Sequence, residues 1–205
     1  ISGINAGERP VNAVYSQGSL RRINTANQVL NNAFYDVLQA GVSSNVIHFG
    51  AYTTTALVSG NSVYNVSTLS VPTACEYALI RINNTAGDGF QLINNYLGGQ
   101  APMASGTWTK IGQPTTFYGF YLNVGTGTAT SLQGNTLRGF SISNTGAADM
   151  VGVYVAGGTV DMGTTTGNVI GATTGTGSIT LTNTTSGNAF YGINLQGTGA
   201  FTGSY

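Results

Sequence analysis

Six carboxylates, Glu8, Asp36, Glu76, Asp88, Asp149 and Asp161, are the only acidic side chains in this chain of 205 residues, and His48 is its only imidazole. Two carboxylates facing each other across a glycosidic bond can do acid–base work on it, and a larger group can hold Ca2+. Here the closest pairs, Glu76 with Asp88 and Asp149 with Asp161, stand a strand and a turn apart. Only stacking of neighbouring segments would bring acids together, and isolated solvated turn positions are the reading that the spacing favours. His48 lies in Val46-Ile47-His48-Phe49, where strand alternation opposes it to Ile47. Alone it cannot build a multi-histidine metal site, so a surface or hydrogen-bonded strand position is expected. Cys75, the single cysteine, excludes an internal disulfide framework and reads as a small buried apolar residue. No metal and no cofactor is implied.

Binding chemistry has two further candidates. The segment 101–117 breaks the pattern of its surroundings and is expected to be a loop insertion, with Trp108 and Lys110 as ligand-contact residues. An indole stacks on a sugar ring, and loops on a rigid scaffold commonly carry function, although an anchoring role for Trp108 fits equally. Threonine runs at Thr53 to Thr55, Thr126 with Thr128, Thr164 to Thr166, and Thr180 with Thr182 would order water and bind ice if they aligned on one flat face. Their offsets vary, so soluble, strand-favouring outward positions are the simpler reading. The glycine-rich Gly125-Thr126-Gly127 and Gly175-Thr176-Gly177 lack the Lys-Ser/Thr and helix start of a phosphate loop and read as turns.

Composition narrows the partners. Six basic and six acidic residues leave a net charge of zero, and Arg21-Arg22 is the only basic cluster. Nucleic acid and anionic membranes demand clustered Lys and Arg, so neither is expected. No run approaches the roughly 18 to 20 apolar residues of a membrane helix, and no insertion into a membrane is expected. With 41% hydrophobic residues, 11 Tyr and 8 Phe, the chain should nevertheless fold.

The elements that would position any site are repeats. One family of segments reads apolar, small, apolar, Tyr, as in Asn12-Ala13-Val14-Tyr15, Phe49-Gly50-Ala51-Tyr52, Tyr77-Ala78-Leu79-Ile80, Tyr118-Gly119-Phe120-Tyr121, Val151-Gly152-Val153-Tyr154 and Tyr191-Gly192-Ile193-Asn194. A second begins with Asn and continues in apolar residues, at Asn31, Asn61, Asn94, Asn135 and Asn168. The two alternate from Asn12 to Asn194, with like segments roughly 28 to 41 residues apart. Each unit is too short to bury its own apolar face, so the units must stack. Period-two strands such as Ser178-Ile179-Thr180-Leu181-Thr182, turns rich in Gly and Asn, and no helical periodicity predict an all-β, right-handed parallel β-helix. About six irregular coils would form a single segment over 1–205, a rod of roughly 25 to 30 Å at the usual strand spacing. Asn24 to Leu38 is the one stretch whose strand character is ambiguous.

Inward positions should stack in columns, Val14 with Phe120, Val153 and Ile193, and Leu137 with Val169 and Val63. Asn61, Asn95, Asn135 and Asn168 are expected at corners, because Asn tolerates left-handed backbone and can bond the next Asn in a ladder. Gly60, Gly134 and Gly167 before them, and the Gly157 to Val160 segment, should supply positive φ. Neither end offers an evident cap, and the absence of an initiating Met predicts a portion of a much longer chain.

Gly-Asn-Thr-Leu-Arg-Gly-Phe (134–140), Tyr-Gly-Phe-Tyr-Leu (118–122) and Thr-Gly-Asn-Val-Ile-Gly-Ala-Thr-Thr-Gly-Thr-Gly-Ser-Ile-Thr-Leu-Thr (166–182) resemble the long secreted or cell-surface β-helical repeat proteins of Bacteroidota. The resemblance covers nearly all of residues 12–205 and is one of fold. It implies export by the type IX secretion system, with its machinery as a transient partner, and an adhesin-like role extending to gliding motility. The expected function is therefore a non-enzymatic structural or adhesive stalk, with surface polysaccharide or other proteins as partners. A carbohydrate-active β-helix and an ice-binding solenoid are the alternatives, and a fold by itself does not choose among them.

Overall fold

The computed structural model describes residues 5–175, 178–197 and 199–203. Thr176 and Gly177 of the turn noted above, and the terminal Tyr205, lie outside them. Apart from a short 3-10 turn at Ala6–Glu8, the regular elements are strands, and every paired strand runs parallel to its neighbour. The chain is a parallel β-helix. Asn24 to Leu38 is strand as well, at Asn24–Thr25, Gln28–Leu30 and Ala33–Tyr35.

Four long sheets run along the rod. The first holds Asn12–Ser16, Ser44–Phe49, Cys75–Asn83, Thr115–Asn123, Met150–Gly157 and Phe190–Leu195, in chain order from one edge to the other. The second comprises Gln28–Leu30, Leu57–Ser59, Gln91–Ile93, Thr130–Gln133, Val160–Met162 and Phe201–Gly203. The third runs from Ala33–Tyr35 through Ser62–Tyr64, Tyr96–Leu97 and Thr136–Leu137 to Val169–Ile170. The fourth has Leu69–Val71, Trp108–Gly112, Phe140–Asn144 and Ile179–Asn183. Successive coils thus contribute strands to the sheets in turn, the first coil adding none to the fourth sheet, and the strands of one sheet are separated in sequence by a full coil.

Stacked apolar columns fill the interior. On the first sheet Val14, Ile47, Ile80, Phe120, Val153 and Ile193 stand in register. On the third, Phe34, Val63, Leu97, Leu137 and Ile170 do so. Ile170, and not Val169, continues that column; Val169 pairs with Thr136. Burying side chains of this size stabilises by about 1.5–3 kcal/mol each, which is where the rod finds the free energy to order so short a set of strands.

The corner between the second and third sheets is an asparagine ladder. The Asn61 amide donates to Asn95 Oδ1 at 3.0 Å, Asn95 to Asn135 Oδ1 at 3.0 Å, and Asn135 to Asn168 Oδ1 at 2.9 Å. Each Oδ1 also accepts the backbone N–H of the asparagine donating to it, at 2.9–3.1 Å. The second amide hydrogen reaches a main-chain carbonyl, Val29 from Asn61, Val58 from Asn95 and Leu92 from Asn135. Both donors and the acceptor of every inner asparagine are thereby used, which is what lets Asn61 and Asn95 be fully buried.

Left-handed backbone falls on the residue before the ladder asparagine, at Asn31, Gly60, Asn94 and Gly134. A Cβ on Gly60 would approach Asn31 Oδ1 within 2.2 Å, so this glycine serves both turn and packing. Gly167 departs from its expected role. Its coil carries extra residues between Met162 and Asn168, and Gly163 (φ 69°) makes the turn instead. In the Gly157–Val160 segment the positive φ belongs to Gly158.

Candidate ligand-binding face

The first sheet presents an outward row that crosses five coils in register: Tyr15, His48, Arg81, Tyr121 and Tyr154. A residue flanked by two inward apolar neighbours must point out of a strand. Ile47-His48-Phe49, Ile80-Arg81-Ile82, Phe120-Tyr121-Leu122 and Val153-Tyr154-Val155 share that pattern, and the flanking residues are all buried. Three of the four neighbouring pairs in the row touch. The Tyr15 and His48 rings are 5.1 Å apart, the Arg81 guanidinium lies 4.2 Å from the centre of Tyr121, and Tyr121 and Tyr154 are 5.2 Å apart. Tyr118, outward on the same strand, closes a three-ring cluster at 5.4 Å from Tyr121 and 5.3 Å from Tyr154.

Polar groups edge these rings. Arg81 pairs with Glu76 and donates through Nε to Asn45 Oδ1 at 2.8 Å, while the Asn45 amide donates to Asn12 Oδ1 at 2.9 Å. The Asn123 amide donates to Asn83 Oδ1 at 2.9 Å. A cleft of about 210 Å³ is lined by Ser43, Asn45, His48, Glu76, Arg81 and Asn83. Glu76 and Arg81 are the only charged residues in the strands of this sheet, and they neutralise each other.

Burial, reinforced by the charge of Arg81, pushes the His48 imidazole down to about 4. It is neutral at physiological pH and offers one donor and one acceptor. Burial, then the charges of Glu76 and its tyrosine neighbours, raises the Tyr118 phenol to about 12; Tyr121 is also raised by burial, against the opposing effect of Arg81. With Glu76 beside Arg81, the face is therefore uncharged in sum and rich in hydroxyl, amide and ring groups.

The sign of the His48 shift gives a stability prediction. A histidine whose folded-state value is depressed contributes stability that is complete above its ordinary 6.5 and is lost as the pH falls towards 4. For this half-buried ring the loss is about 1–3 kcal/mol. Urea titrations across that range should show the loss in the natural chain and its reduction by that amount in His48→Gln. Equal acid limbs in the two proteins would assign the loss to the carboxylates.

Trp108 and Lys110, expected on a loop, are interior. Trp108 is 1% exposed and Lys110 0%. Both lie on the strand Trp108–Gly112, and Thr115–Asn123 is strand too, so within 101–117 only the part before Trp108 and the short turn at Gln113 and Pro114 are irregular. Alternation on that strand turns Trp108 and Lys110 inward and leaves Ile111 outward, 43% exposed. The Lys110 amine is retained inside because it donates to Gln113 O, to Asn144 Oδ1 and, at 3.4 Å, to Ser143 O. Burial without a carboxylate partner lowers it to about 8. Cys75 is half-buried against the core.

The acids are dispersed. Asp36 pairs with buried Arg9 at 3.6 Å and accepts the backbone N–H groups of Val66 and Ser67. Asp88 accepts the Thr128 N–H at 2.9 Å, and Asp149 accepts that of Ala189 at 3.0 Å. Among the described residues no three His, Cys, Asp or Glu side chains gather where they could hold a metal ion. The threonine runs fall on different sides. Thr53 is buried beside the second sheet, Thr126 and Thr128 lie in turns after the first, Thr164 to Thr166 precede the third, and Thr180 and Thr182 stand on the fourth.

Sequence reasoning missed the outward row because it anchored the repeat on tyrosine. That aligned Tyr52 with Tyr15, whereas Tyr52 sits in a turn at φ 59° and the structural equivalent is His48. Anchoring on the apolar, outward, apolar triplet would have found it. No family model matches the chain, and neither a curated protein nor a solved structure matches it.

Proposed function

We propose that the chain is a non-enzymatic structural and adhesive stalk segment of a large secreted or cell-surface protein, and that the first sheet is its adhesive face towards surface polysaccharide. The observation that carries this reading is the continuous outward row from Tyr15 to Tyr154, with amide and hydroxyl groups at its edges, on a rod otherwise poor in charge. Sugars offer an apolar ring face and a rim of hydroxyls, and tyrosines edged with amides are suited to both. The rod is held by ladders and columns that leave little to order on binding, so contacts of modest strength count. On this reading the chain works at the cell surface in gliding adhesion and is exported by the type IX machinery, as the resemblance of its repeats to those of Bacteroidota proteins implies.

Affinity electrophoresis through gels containing neutral and acidic polysaccharides tests the reading. Retardation by polysaccharide should occur with no release of reducing ends, and Tyr121→Ala with Tyr154→Ala should abolish it while the melting transition is preserved. Glycan cleavage would replace the stalk with an enzyme, and migration unaffected by every polysaccharide would remove the adhesive face.

A further inference from the structure

The geometry points to an extended, uncharged, 1,4-linked β-glycan as the ligand of this face, lying parallel to the rod axis with successive sugar rings over successive coils. The inference rests on the adhesive reading above and adds the ligand's class, length and direction.

Direction follows from the ladder. Tyr15, His48, Arg81, Tyr121 and Tyr154 each come from a different coil, so the row runs across the strands and along the rod. Paired strands repeat at about 4.8 Å, close to the length that one pyranose adds to an extended 1,4-linked chain. A ligand lying along a strand would meet outward residues from a single coil and leave most of the row unused.

Class follows from the charges and the hydrogen-bonding groups. The one guanidinium on the face is committed to Glu76, to Asn45 Oδ1 and to the ring of Tyr121. A uronate or sulfate polymer would find no free cation there and would meet the Glu76 carboxylate. Neutral hydroxyls instead find amides at Asn12, Asn45, Asn83 and Asn123, the neutral His48 imidazole, and phenols at Tyr118 and Tyr121. Flat sugar faces find the Tyr154 ring and the part of Tyr121 that the Arg81 guanidinium leaves uncovered. A glycan with equatorial linkages makes the flat ribbon that a straight row of this kind can follow.

Calorimetric titration with neutral β-1,4-linked glucose, mannose and xylose oligomers, from disaccharide to hexasaccharide, tests both parts, with galacturonate oligomers of equal length as the charged comparison. At least one neutral series should gain affinity with each added ring up to about the pentasaccharide and then level off, with little dependence on salt. Tyr121→Ala should weaken binding about tenfold, as expected for loss of an aromatic contact, whereas Tyr121→Phe should retain most of it. Tyr15 lies at one end of the row and is 52% exposed. Tyr15→Ala should therefore weaken the longest oligomers and leave the disaccharide unchanged, a dependence that a fold defect would not produce.

Affinity that does not rise beyond the disaccharide, or a Tyr15→Ala effect equal at all lengths, would overturn the axial direction. Salt-sensitive preference for galacturonate would overturn the neutral class. If no oligomer binds while gel retardation by polysaccharide persists, this inference falls and the adhesive reading stands. If both fail, the adhesive reading has failed with it, and a protein partner becomes the occupant to pursue.

Discussion

Asn95→Leu is expected to destabilise the rod by about 3–5 kcal/mol, a large effect for one surface-sized side chain in a fold held by many small contributions. The substitution keeps the volume and removes the polar atoms. Asn61 then loses the acceptor for both its backbone N–H and its amide, Asn135 Oδ1 loses the side-chain donor and keeps only the backbone N–H of residue 95, and Val58 O loses the Asn95 amide. Asn61 and Asn135 are themselves buried, so water cannot replace these partners without opening the corner. The same change at Asn168, half-buried and at the end of the hydrogen-bonded run, should cost about 1–2 kcal/mol. Urea denaturation followed by far-ultraviolet circular dichroism would compare them. Equal losses at the two sites would mean that the ladder contributes as separate residues and not as a connected network.

Trp108→Ala should cost about 3–5 kcal/mol, whereas Trp108→Phe should cost less than half as much. The indole stacks on Phe140 at 5.7 Å and meets Phe117 edge-on at 5.7 Å, and Phe117 in turn contacts Tyr77 at 6.1 Å. These rings tie two successive coils together across the fourth and first sheets. Alanine leaves a cavity that the stacked strands cannot collapse to fill, because each is pinned by ladder hydrogen bonds above and below. Phenylalanine keeps the ring contacts and removes Nε1, which has no hydrogen-bond partner in the protein. Thermal melts of the two variants decide the matter, and a Trp108→Ala melt matching the natural one would place the residue outside the core.

The repeat was legible because stacking imposes one requirement on every coil. Apolar residues must recur at inward positions and turn residues at corners, and the column of Val14, Phe120, Val153 and Ile193 could be read directly from that requirement. Errors arose where a coil length changed. Extra residues between Met162 and Asn168 moved the turn from Gly167 to Gly163, and Val169 yielded its column place to Ile170. A strand's side-chain period is two residues, so a shift of one exchanges inside for outside. Lys110 shows the other failure: an irregular segment is expected to be a loop with its charged residue outside, but Trp108–Gly112 is a strand and the Lys110 amine meets enough acceptors inside to remain there.

By itself the sequence determined the all-β class, the alternation of two segment types, the asparagine corners and the scarcity of charge, since each depends only on local residue type and spacing. Tertiary structure alone decided which residues share a face. Tyr15, His48, Arg81, Tyr121 and Tyr154 are far apart along the chain and unlike in chemistry, and they become one surface only when the register between coils is set. That register comes from main-chain pairing and interior packing, to which outward side chains contribute little, so nothing in their own identities announces the row they form.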